Sequence, residues 1–239
     1  MEIITNILDF IVPRVCTSCN IKLSFSEQFI CKNCLSQINE LSTEDIASEY
    51  KRKFSREDYV DDYTSLFVFE EKGKLQDLIH ALKYNQKFKI GIFLGELLGD
   101  RKENYIKNWN TDLVIPVPLF HLKKIERGYN QADFIAKGLA QSLGILHKTS
   151  IATRIKNTSS QTKLDSTDRL KNMQDAFAIR KPKAVVGKKI IIIDDVITTG
   201  ITVLELAKRL KENGAEKVYV LSVATPLISH SVGSSKAKN

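Results

Sequence analysis

The chain has 239 residues, of which 43% are hydrophobic and 27% are charged. This is the balance of a folded globular protein rather than a disordered or fibrous one. No apolar run reaches the roughly 18 residues that a membrane-spanning helix needs, which argues against membrane insertion. Glu2 and Asp9 interrupt the first apolar stretch, so we expect no secretory signal peptide and a cytoplasmic location.

The net charge of +8 comes from the middle of the chain. Residues 1–100 hold 12 basic and 16 acidic residues, whereas residues 101–189 hold 18 basic and 7 acidic residues. The remaining residues, 190–239, are nearly balanced, with 6 basic and 5 acidic residues. A local excess of this kind predicts a polyanionic partner, either a phosphorylated metabolite or a nucleic acid. The alternative is an ordinary solvated surface of lysine and arginine.

The four cysteines form two C-x-x-C pairs separated by eleven residues: Cys16, Cys19, Cys31 and Cys34. This spacing predicts a tetrahedral metal site with four thiolate ligands. A metal is needed there because so short a segment cannot bury enough core to fold alone. We expect structural zinc, since four thiolates leave no open position. An iron–sulfur cluster uses the same four cysteine ligands and remains an alternative. Two disulfides are the third possibility and are disfavoured in a reducing compartment.

Hydrophobic periodicity after the cysteines predicts helices that alternate with strands. Ser42 to Asp45 offers a helix start inside a charged connector. The predicted strands are residues 63–69, 113–118, 176–179, 189–193 and 218–224, and the predicted helices are residues 73–84, 90–98, 131–143 and 201–213. The alternation predicts an α/β domain with a mostly parallel sheet flanked by helices.

The domain organisation follows from the same pattern. We expect a four-cysteine module in residues 1–40, a connector in 41–60, the main domain in 61–228 and a disordered tail in 229–239. Within the main domain, residues 157–168 are polar and nearly featureless, which is typical of a long exposed loop.

The stretch from Ile190 to Thr202 is the strongest functional signal in the main domain. A continuous β-branched run, typical of a strand buried on both faces, ends in Asp194 and Asp195. Ligands of open α/β sheets bind beyond the carboxyl ends of such strands. Gly200 lets a phosphate approach the backbone, and the N-terminus of the next helix favours an anion. Three hydroxyls lie in the same turn, those of Thr198, Thr199 and Thr202.

Two adjacent carboxylates beside a phosphate would repel it unless they bind something else. Sugar hydroxyls and Mg²⁺ both suit them. The alternative is a plain helix N-cap followed by an ordinary turn, but a cap needs one such residue, not two acids and three threonines.

The 190–202 stretch resembles the phosphoribosyl pyrophosphate (PRPP) signature of type I phosphoribosyltransferases. More narrowly, the chain resembles the ComF competence proteins, also called the amidophosphoribosyltransferase-like or GntX group. The resemblance runs from about Pro13 to Ala224 and includes the cysteine pairs and the acidic strand end. Its other motifs are Leu82-Lys83-Tyr84, Ile115-Pro116-Val117-Pro118, Glu126-Arg127-Gly128-Tyr129-Asn130-Gln131-Ala132, Gln161, Arg169-Leu170-Lys171-Asn172 and Ala176-Phe177.

The resemblance implies a type I phosphoribosyltransferase fold and a role for each matching residue. Asp194 and Asp195 would bind the ribose hydroxyls at the catalytic centre, with Mg²⁺ held mainly by the ligand and water. The 5′-phosphate and its surroundings would involve Val196, Ile197, Thr198, Thr199, Gly200, Ile201 and Thr202. The backbone at Pro116 and Val117 would face the pyrophosphate. Gln161 and Arg169 would belong to a flexible loop over the site.

Three basic residues after the 113–118 strand could also neutralise pyrophosphate: Lys123, Lys124 and Arg127. Arg127 has the most suitable side chain of the three, because a guanidinium binds phosphate oxygens bidentately. The alternative for each is a solvated surface position, and for Arg169 a surface pair with Asp165 or Asp175.

The resemblance implies that the protein handles incoming single-stranded DNA during natural competence, alongside a DNA-translocating helicase. The alternative is an active phosphoribosyltransferase of nucleotide or nucleobase metabolism without a DNA role. The sequence shows no motif for an acceptor base, so transferase chemistry stays an open question here.

Overall fold

A five-stranded parallel sheet forms the centre of the protein in the computed structural model, which describes residues 13–157 and 172–227. Its spatial order is β1-β7-β6-β2-β3, and every neighbouring pair is parallel. Its strands are β1 (Asp62–Val68), β2 (Leu113–Pro116), β3 (Leu146–His147), β6 (Lys189–Val196) and β7 (Lys217–Thr225). Two further strands, β4 (Ala152–Arg154) and β5 (Phe177–Ile179), pair antiparallel with each other. The predicted α/β fold with a parallel sheet is confirmed.

Helices cover both faces of this sheet. They are α1 (Lys32–Ser36), α2 (Thr43–Phe54), α3 (Lys74–Tyr84), α4 (Lys89–Lys107), α5 (His121–Arg127), α6 (Gln131–Leu143) and α7 (Ile201–Glu212), with a 3₁₀ turn at Pro182–Ala184. The bounds of α6 agree with the sequence-based prediction. Helix α4 continues nine residues past the predicted end at Leu98, through a break in helical geometry at Lys102. Helix α5 was not predicted, because none of its residues is buried and it has no apolar periodicity.

The sheet separates two apolar layers, and β6 contributes to both. Ile191 and Ile193 pack in the layer formed with α3, α4 and α6. Ile190 and Ile192 face the opposite way and pack with α2 and α7. Successive side chains of a strand point to opposite faces, so the four isoleucines are all fully buried. This confirms the prediction of a central strand covered on both sides.

The cysteine segment is packed into the first of these layers. Cys16, Cys31 and Cys34 are buried in the same cluster as the apolar residues of α3 and α4. Ser18 Oγ donates a hydrogen bond to Asp77 Oδ2 at 2.6 Å, which attaches the first cysteine turn to α3. The segment therefore shares its core with the main domain.

Glycines allow α4 and α6 to pack at very short distance. A Cβ atom added at Gly95 would lie 2.1 Å from the carbonyl oxygen of Ile135, and one at Gly138 would lie 2.0 Å from that of Ile92. Any side chain at either position would force the helices apart. This contact fixes α6, which follows α5 after a short turn.

The predicted connector contains a well-defined helix. Ser42 and Asp45 form a capping box at the start of α2, as the sequence indicated. Ile46 and Phe54 of this helix are buried in the second apolar layer, so the connector is part of the main body of the protein.

Some predictions concern residues outside the described ranges. The loop candidates Gln161 and Arg169, most of the predicted 157–168 loop and the predicted tail at 229–239 all fall there. Among the residues that are described, no helix is both long enough and apolar enough to cross a membrane.

Candidate functional site

The carboxyl ends of β2 and β6 lie side by side and bring together two motifs distant in sequence. Pro116 pairs with Ile193 in the parallel register. The Val117 N–H continues this pairing and donates to the Ile193 carbonyl at 2.9 Å. The loop after Val117 therefore begins next to Asp194, so the two predicted halves of the site meet at one edge of the sheet.

Asp194 and Asp195 form a closely coupled acidic pair at the end of β6. The Asp195 N–H donates to Asp194 Oδ1 at 2.9 Å. Lys83 Nζ, at the end of α3, lies 2.7 Å from Asp195 Oδ2. Burial raises the pKa of Asp194 to about 7, and the charge of Asp195 adds to this rise. The pair thus contains one carboxylate neutralised by a lysine and one that ionises near neutral pH.

Residues 197–200 connect β6 to α7, and we call them the phosphate loop after the ligand that the sequence predicts for them. Ile197 is buried, and its N–H donates to the Ala224 carbonyl at 3.0 Å. Thr198 and Thr199 are exposed, and Gly200 adopts a left-handed conformation with φ of 81°. No side chain caps the start of α7, and the first N–H groups of a helix have no partner within it. The loop therefore offers backbone donors and two hydroxyls to a ligand.

Four basic side chains act electrostatically on this acidic pair or on one another: Lys83, Lys123, Arg127 and Arg154. Burial lowers the pKa of Lys123, and the positive charges of Arg154, Arg127 and Lys83 lower it further. Burial also lowers the pKa of Arg154, against the opposing effect of the Asp194 carboxylate. These side chains therefore contribute to one positive electrostatic field around the acidic pair.

Neighbouring side chains orient Arg127 and the start of the β2 loop, which we define as residues 117–120, between β2 and α5. Arg127 Nη1 donates to Gln131 Oε1 at 3.0 Å, and its guanidinium carbon lies 5.4 Å from the Tyr84 ring centroid. Asn130 Nδ2 donates to the Val117 carbonyl at 3.0 Å. The predicted Glu126–Ala132 motif thus holds the β2 loop and aligns its arginine.

Sequence analysis missed two of these four cations as site residues. Lys83 lay within a motif shared with the ComF proteins but had no assigned role. Arg154 gave no signal, because strand β4 is only three residues long. Among the three basic residues proposed after β2, Lys124 is exposed, whereas Lys123 and Arg127 are half-buried.

The four cysteine sulfurs converge at one point, and all four are free thiols. The sulfur atoms all lie within 4.8 Å of one another, and those of Cys19 and Cys31 are 3.7 Å apart. Tetrahedral zinc with Zn–S bonds of about 2.3 Å requires sulfurs about 3.8 Å apart, so the arrangement fits a single ion. Burial raises the pKa of Cys16, but backbone hydrogen bonds with Cys19, Cys31 and Ser18 outweigh it and bring the pKa to about 6. Cys16 therefore favours the thiolate, the form that binds metal. Burial and hydrogen bonds with the other three cysteines raise the pKa of Cys34 to about 12.

A comparison with known protein families finds a domain whose range includes the site residues described above. The phosphoribosyl transferase domain family matches residues 82–235. That range contains the β2 loop, the acidic pair and the phosphate loop. The chain belongs to this family.

Relatives of this chain include competence and DNA utilization proteins. Competence protein F of Haemophilus influenzae is 35% identical over 155 residues, which cover 63% of this chain and 67% of the relative. DNA utilization protein YhgH of Escherichia coli K12 is 34% identical over 151 residues, which cover 61% of this chain and 65% of the relative. Competence protein ComFC of Streptococcus pneumoniae is 24% identical over a match that covers 87% of this chain and 86% of the relative. The predicted ComF relationship is confirmed.

Solved structures similar to this chain include phosphoribosyltransferase enzymes. Glutamine PRPP amidotransferase from Bacillus subtilis is 21% identical, with a TM-score of 0.39 over 56% of this chain and 26% of the enzyme. A Trypanosoma cruzi hypoxanthine phosphoribosyl transferase is 11% identical, with a TM-score of 0.37 over 57% of this chain and 74% of that one.

Proposed function

We propose that the protein binds PRPP together with Mg²⁺ and acts in the handling of incoming single-stranded DNA during natural transformation. The observation that supports PRPP binding is the acidic pair Asp194–Asp195, which directly precedes the phosphate loop in the chain and contacts the cation Lys83 at 2.7 Å. A ligand that matches this arrangement carries a diol flanked by two anionic groups. PRPP has that pattern, with ribose hydroxyls between a 5′-phosphate and a pyrophosphate.

In this proposal each part of the site has one task. The ribose hydroxyls donate to the carboxylates of Asp194 and Asp195. The 5′-phosphate accepts hydrogen bonds from the phosphate loop and the first turn of α7, where the helix dipole favours an anion. The pyrophosphate lies toward the β2 loop, where Lys123 and Arg127 neutralise its charge.

The residues present fit a Mg²⁺ ion that arrives with the ligand. Among the described residues, the cysteines form the one group of three or more metal-ligating side chains close enough to hold an ion. Mg²⁺ commonly retains several waters and binds through substrate phosphates plus one or two carboxylates. The ion would lower the negative charge of the pyrophosphate beside Asp194.

For the cysteine site we propose zinc. Four thiolates in a closed tetrahedral arrangement are typical of structural zinc. The ion would join the two cysteine turns, and so stabilise the surface that packs on α3 and α4.

The DNA-handling role is supported by the relatives, which are named for competence and DNA utilization. The charge distribution agrees with it, since residues 101–189 hold 18 basic against 7 acidic residues. A DNA-translocating helicase is the partner we expect.

Calorimetric titration of PRPP, with and without Mg²⁺, tests the ligand proposal. We expect saturable binding that weakens strongly when Mg²⁺ is removed. Asp194→Asn combined with Asp195→Asn should abolish binding and leave the circular dichroism spectrum unchanged, because an amide has nearly the same size as the carboxylate but lacks its charge. Equal PRPP affinity in this double variant would contradict the assignment.

Fluorescence anisotropy with a labelled single-stranded oligonucleotide tests the DNA proposal. The logarithm of the binding constant should fall linearly with the logarithm of salt concentration, since each neutralised phosphate releases counterions. Binding that is absent at low salt would contradict a direct DNA contact.

The intact acidic pair and phosphate loop also favour a second candidate, an active phosphoribosyltransferase of nucleotide or nucleobase metabolism. Pyrophosphate release from PRPP in the presence of nucleobases distinguishes the two. Release that depends on one acceptor, without any oligonucleotide binding, would favour the enzyme.

A further inference from the structure

Lys53, a buried lysine of helix α2, contacts the phosphate loop on the side that faces this helix. Lys53 Nζ donates to the Ile197 carbonyl at 2.8 Å. It also contacts Thr225 Oγ1 and pairs with Glu49 Oε2 at 2.8 Å. The side chain of Lys53 has 0% exposure, so its charge interacts with groups inside the protein rather than with solvent.

These contacts fix the orientation of a peptide group in the loop. The Ile197 carbonyl also accepts a hydrogen bond from Thr225 Oγ1 at 2.8 Å. In a trans peptide the N–H points opposite to the preceding carbonyl, and the described chain contains no cis peptide bond. With the Ile197 carbonyl held toward α2, the N–H of Thr198 points away from that helix, to the side where the loop is exposed.

The same helix contacts the next two residues of the loop. Arg52 Nη2 lies 3.4 Å from the Thr198 carbonyl oxygen, which directs the Thr199 N–H outward by the same geometry. At Gly200, an added Cβ would lie 3.0 Å from Phe54 Cε1 and 3.2 Å from Lys53 Cβ. Helix α2 therefore forms the surface on which the whole phosphate loop rests.

We propose that Lys53 is a positioning residue, which orients the backbone donors of the phosphate loop toward a phosphate monoester. The proposal rests on the proposed function for the identity of the ligand. Lys53 lies outside residues 82–235, the part that matches the phosphoribosyl transferase domain family. The segment that precedes the family domain is thus required to arrange its anion site.

The chemistry of the contact supports this role. A buried ion pair is seldom better for stability than apolar residues of the same size, so stability alone does not account for a lysine here. Burial lowers the pKa of Lys53 to about 8, and the Glu49 carboxylate opposes this shift. Lys53 is consequently charged at neutral pH, and its hydrogen bond to the carbonyl is charge-assisted.

Two ligands that represent the two halves of PRPP test the proposal by calorimetry. Lys53→Met should weaken ribose 5-phosphate binding about tenfold, the size of one hydrogen bond to a charged group. Magnesium pyrophosphate, which contacts the β2 loop instead, should bind as it does to the unaltered protein. Lys51→Met is the matched control, because Lys51 is exposed on the same helix and both affinities should be retained. An equal loss for both ligands in Lys53→Met would overturn the proposal, since it would indicate a general structural defect.

A measurement without ligand separates this inference from the proposed function. Nuclear spin relaxation of ¹⁵N-labelled protein should show the amides of residues 198–200 as ordered in the unaltered chain and in Lys51→Met. In Lys53→Met their order parameters should fall below about 0.6, the value of a flexible backbone. If the unaltered protein binds neither ligand yet the loop loses order, the ligand assignment fails and the positioning role stands. An unchanged loop overturns the positioning role.

A second variant serves if Lys53→Met does not fold. Thr225→Val is nearly isosteric and removes the other donor to the Ile197 carbonyl. We expect the same selective loss for ribose 5-phosphate and lower loop order, and an unaltered loop in Thr225→Val would count against the proposal.

Discussion

Lys83 Nζ lies 2.7 Å from Asp195 Oδ2 and so joins the end of helix α3 to the acidic end of strand β6. Both side chains are largely shielded from water, with exposures of 24% and 11%, so solvent screens the pair only in part. The charge of Lys83 also extends to Asp194, whose pKa it lowers. One lysine therefore offsets the repulsion between two adjacent carboxylates.

Replacing this lysine should raise the pKa of Asp194 further. In Lys83→Met the positive charge is lost, and the burial and Asp195 charge that raise this pKa remain. Titration of the carboxyl ¹³C resonance against pH measures the change. Lys74→Met, at the other end of the same helix, is the control and should leave the Asp194 titration unaltered. A titration that is the same in both variants would show that Lys83 has no electrostatic influence on the pair.

The raised pKa of Asp194 predicts a pH-dependent effect on stability. Burial and the neighbouring Asp195 raise its pKa from 3.8 to about 7 in the folded protein. Between these values the folded state binds more protons than the unfolded state, so this group lowers stability as pH rises. Asp194→Asn removes that penalty. The free energy of unfolding of the variant should therefore exceed that of the unaltered protein by the largest amount at pH 8. The difference should shrink as pH falls toward 4. Urea unfolding at pH 5 and pH 8 checks this, and a difference independent of pH would contradict it.

Removing two of the cysteines should release the metal and destabilise the whole protein. Cys31→Ser with Cys34→Ser leaves two thiolates, and the segment shares its core with α3 and α4. We expect less than one zinc per chain by mass spectrometry and a loss of roughly 3 kcal/mol or more in unfolding free energy. Ser18→Ala is the control, because it changes the contact with α3 and keeps all four thiols.

The metal content separates the possible outcomes for this site. Visible absorbance in the unaltered protein would indicate an iron–sulfur cluster in place of zinc. One zinc per chain in the double cysteine variant would show that the metal binds elsewhere.

Gly200→Ala should damage the phosphate loop more than its backbone conformation alone explains. A left-handed residue other than glycine costs about 1–2 kcal/mol, and here the new methyl would also lie 3.0 Å from Phe54 Cε1. Gly187→Ala is a matched control, since Gly187 has a φ of 68° and no described atom within 4 Å of the added carbon. Thermal unfolding should show the larger loss at Gly200, and ribose 5-phosphate binding should weaken only there. Equal effects of the two variants would show that the contact with Phe54 is unimportant.

Much of the fold could be predicted from local patterns. The apolar run of β6 and the periodicity of α6 each depend on residues close together in the chain. Helix α6 was predicted with its observed bounds, and β6 with its observed start, although the strand continues to Val196, beyond the predicted end at Ile193. The length of α4 was underestimated because its second half, from Asp100 onward, is mostly polar. A helix that packs along part of its length shows apolar periodicity only in that part.

The sequence by itself determined the chemistry of the two sites. The C-x-x-C spacing predicts four ligands for one ion, and Asp194 to Thr202 places two carboxylates, three hydroxyls and a glycine in one strand–turn–helix segment. Only the tertiary structure decided which cations lie near the proposed anion site and what holds the loop. Lys53 and Ile197 are 144 positions apart in the chain, and Lys83 reaches Asp195 from another helix. No local spacing encodes such contacts, because they arise only when the packing of both faces of the sheet brings separate helices to the same edge.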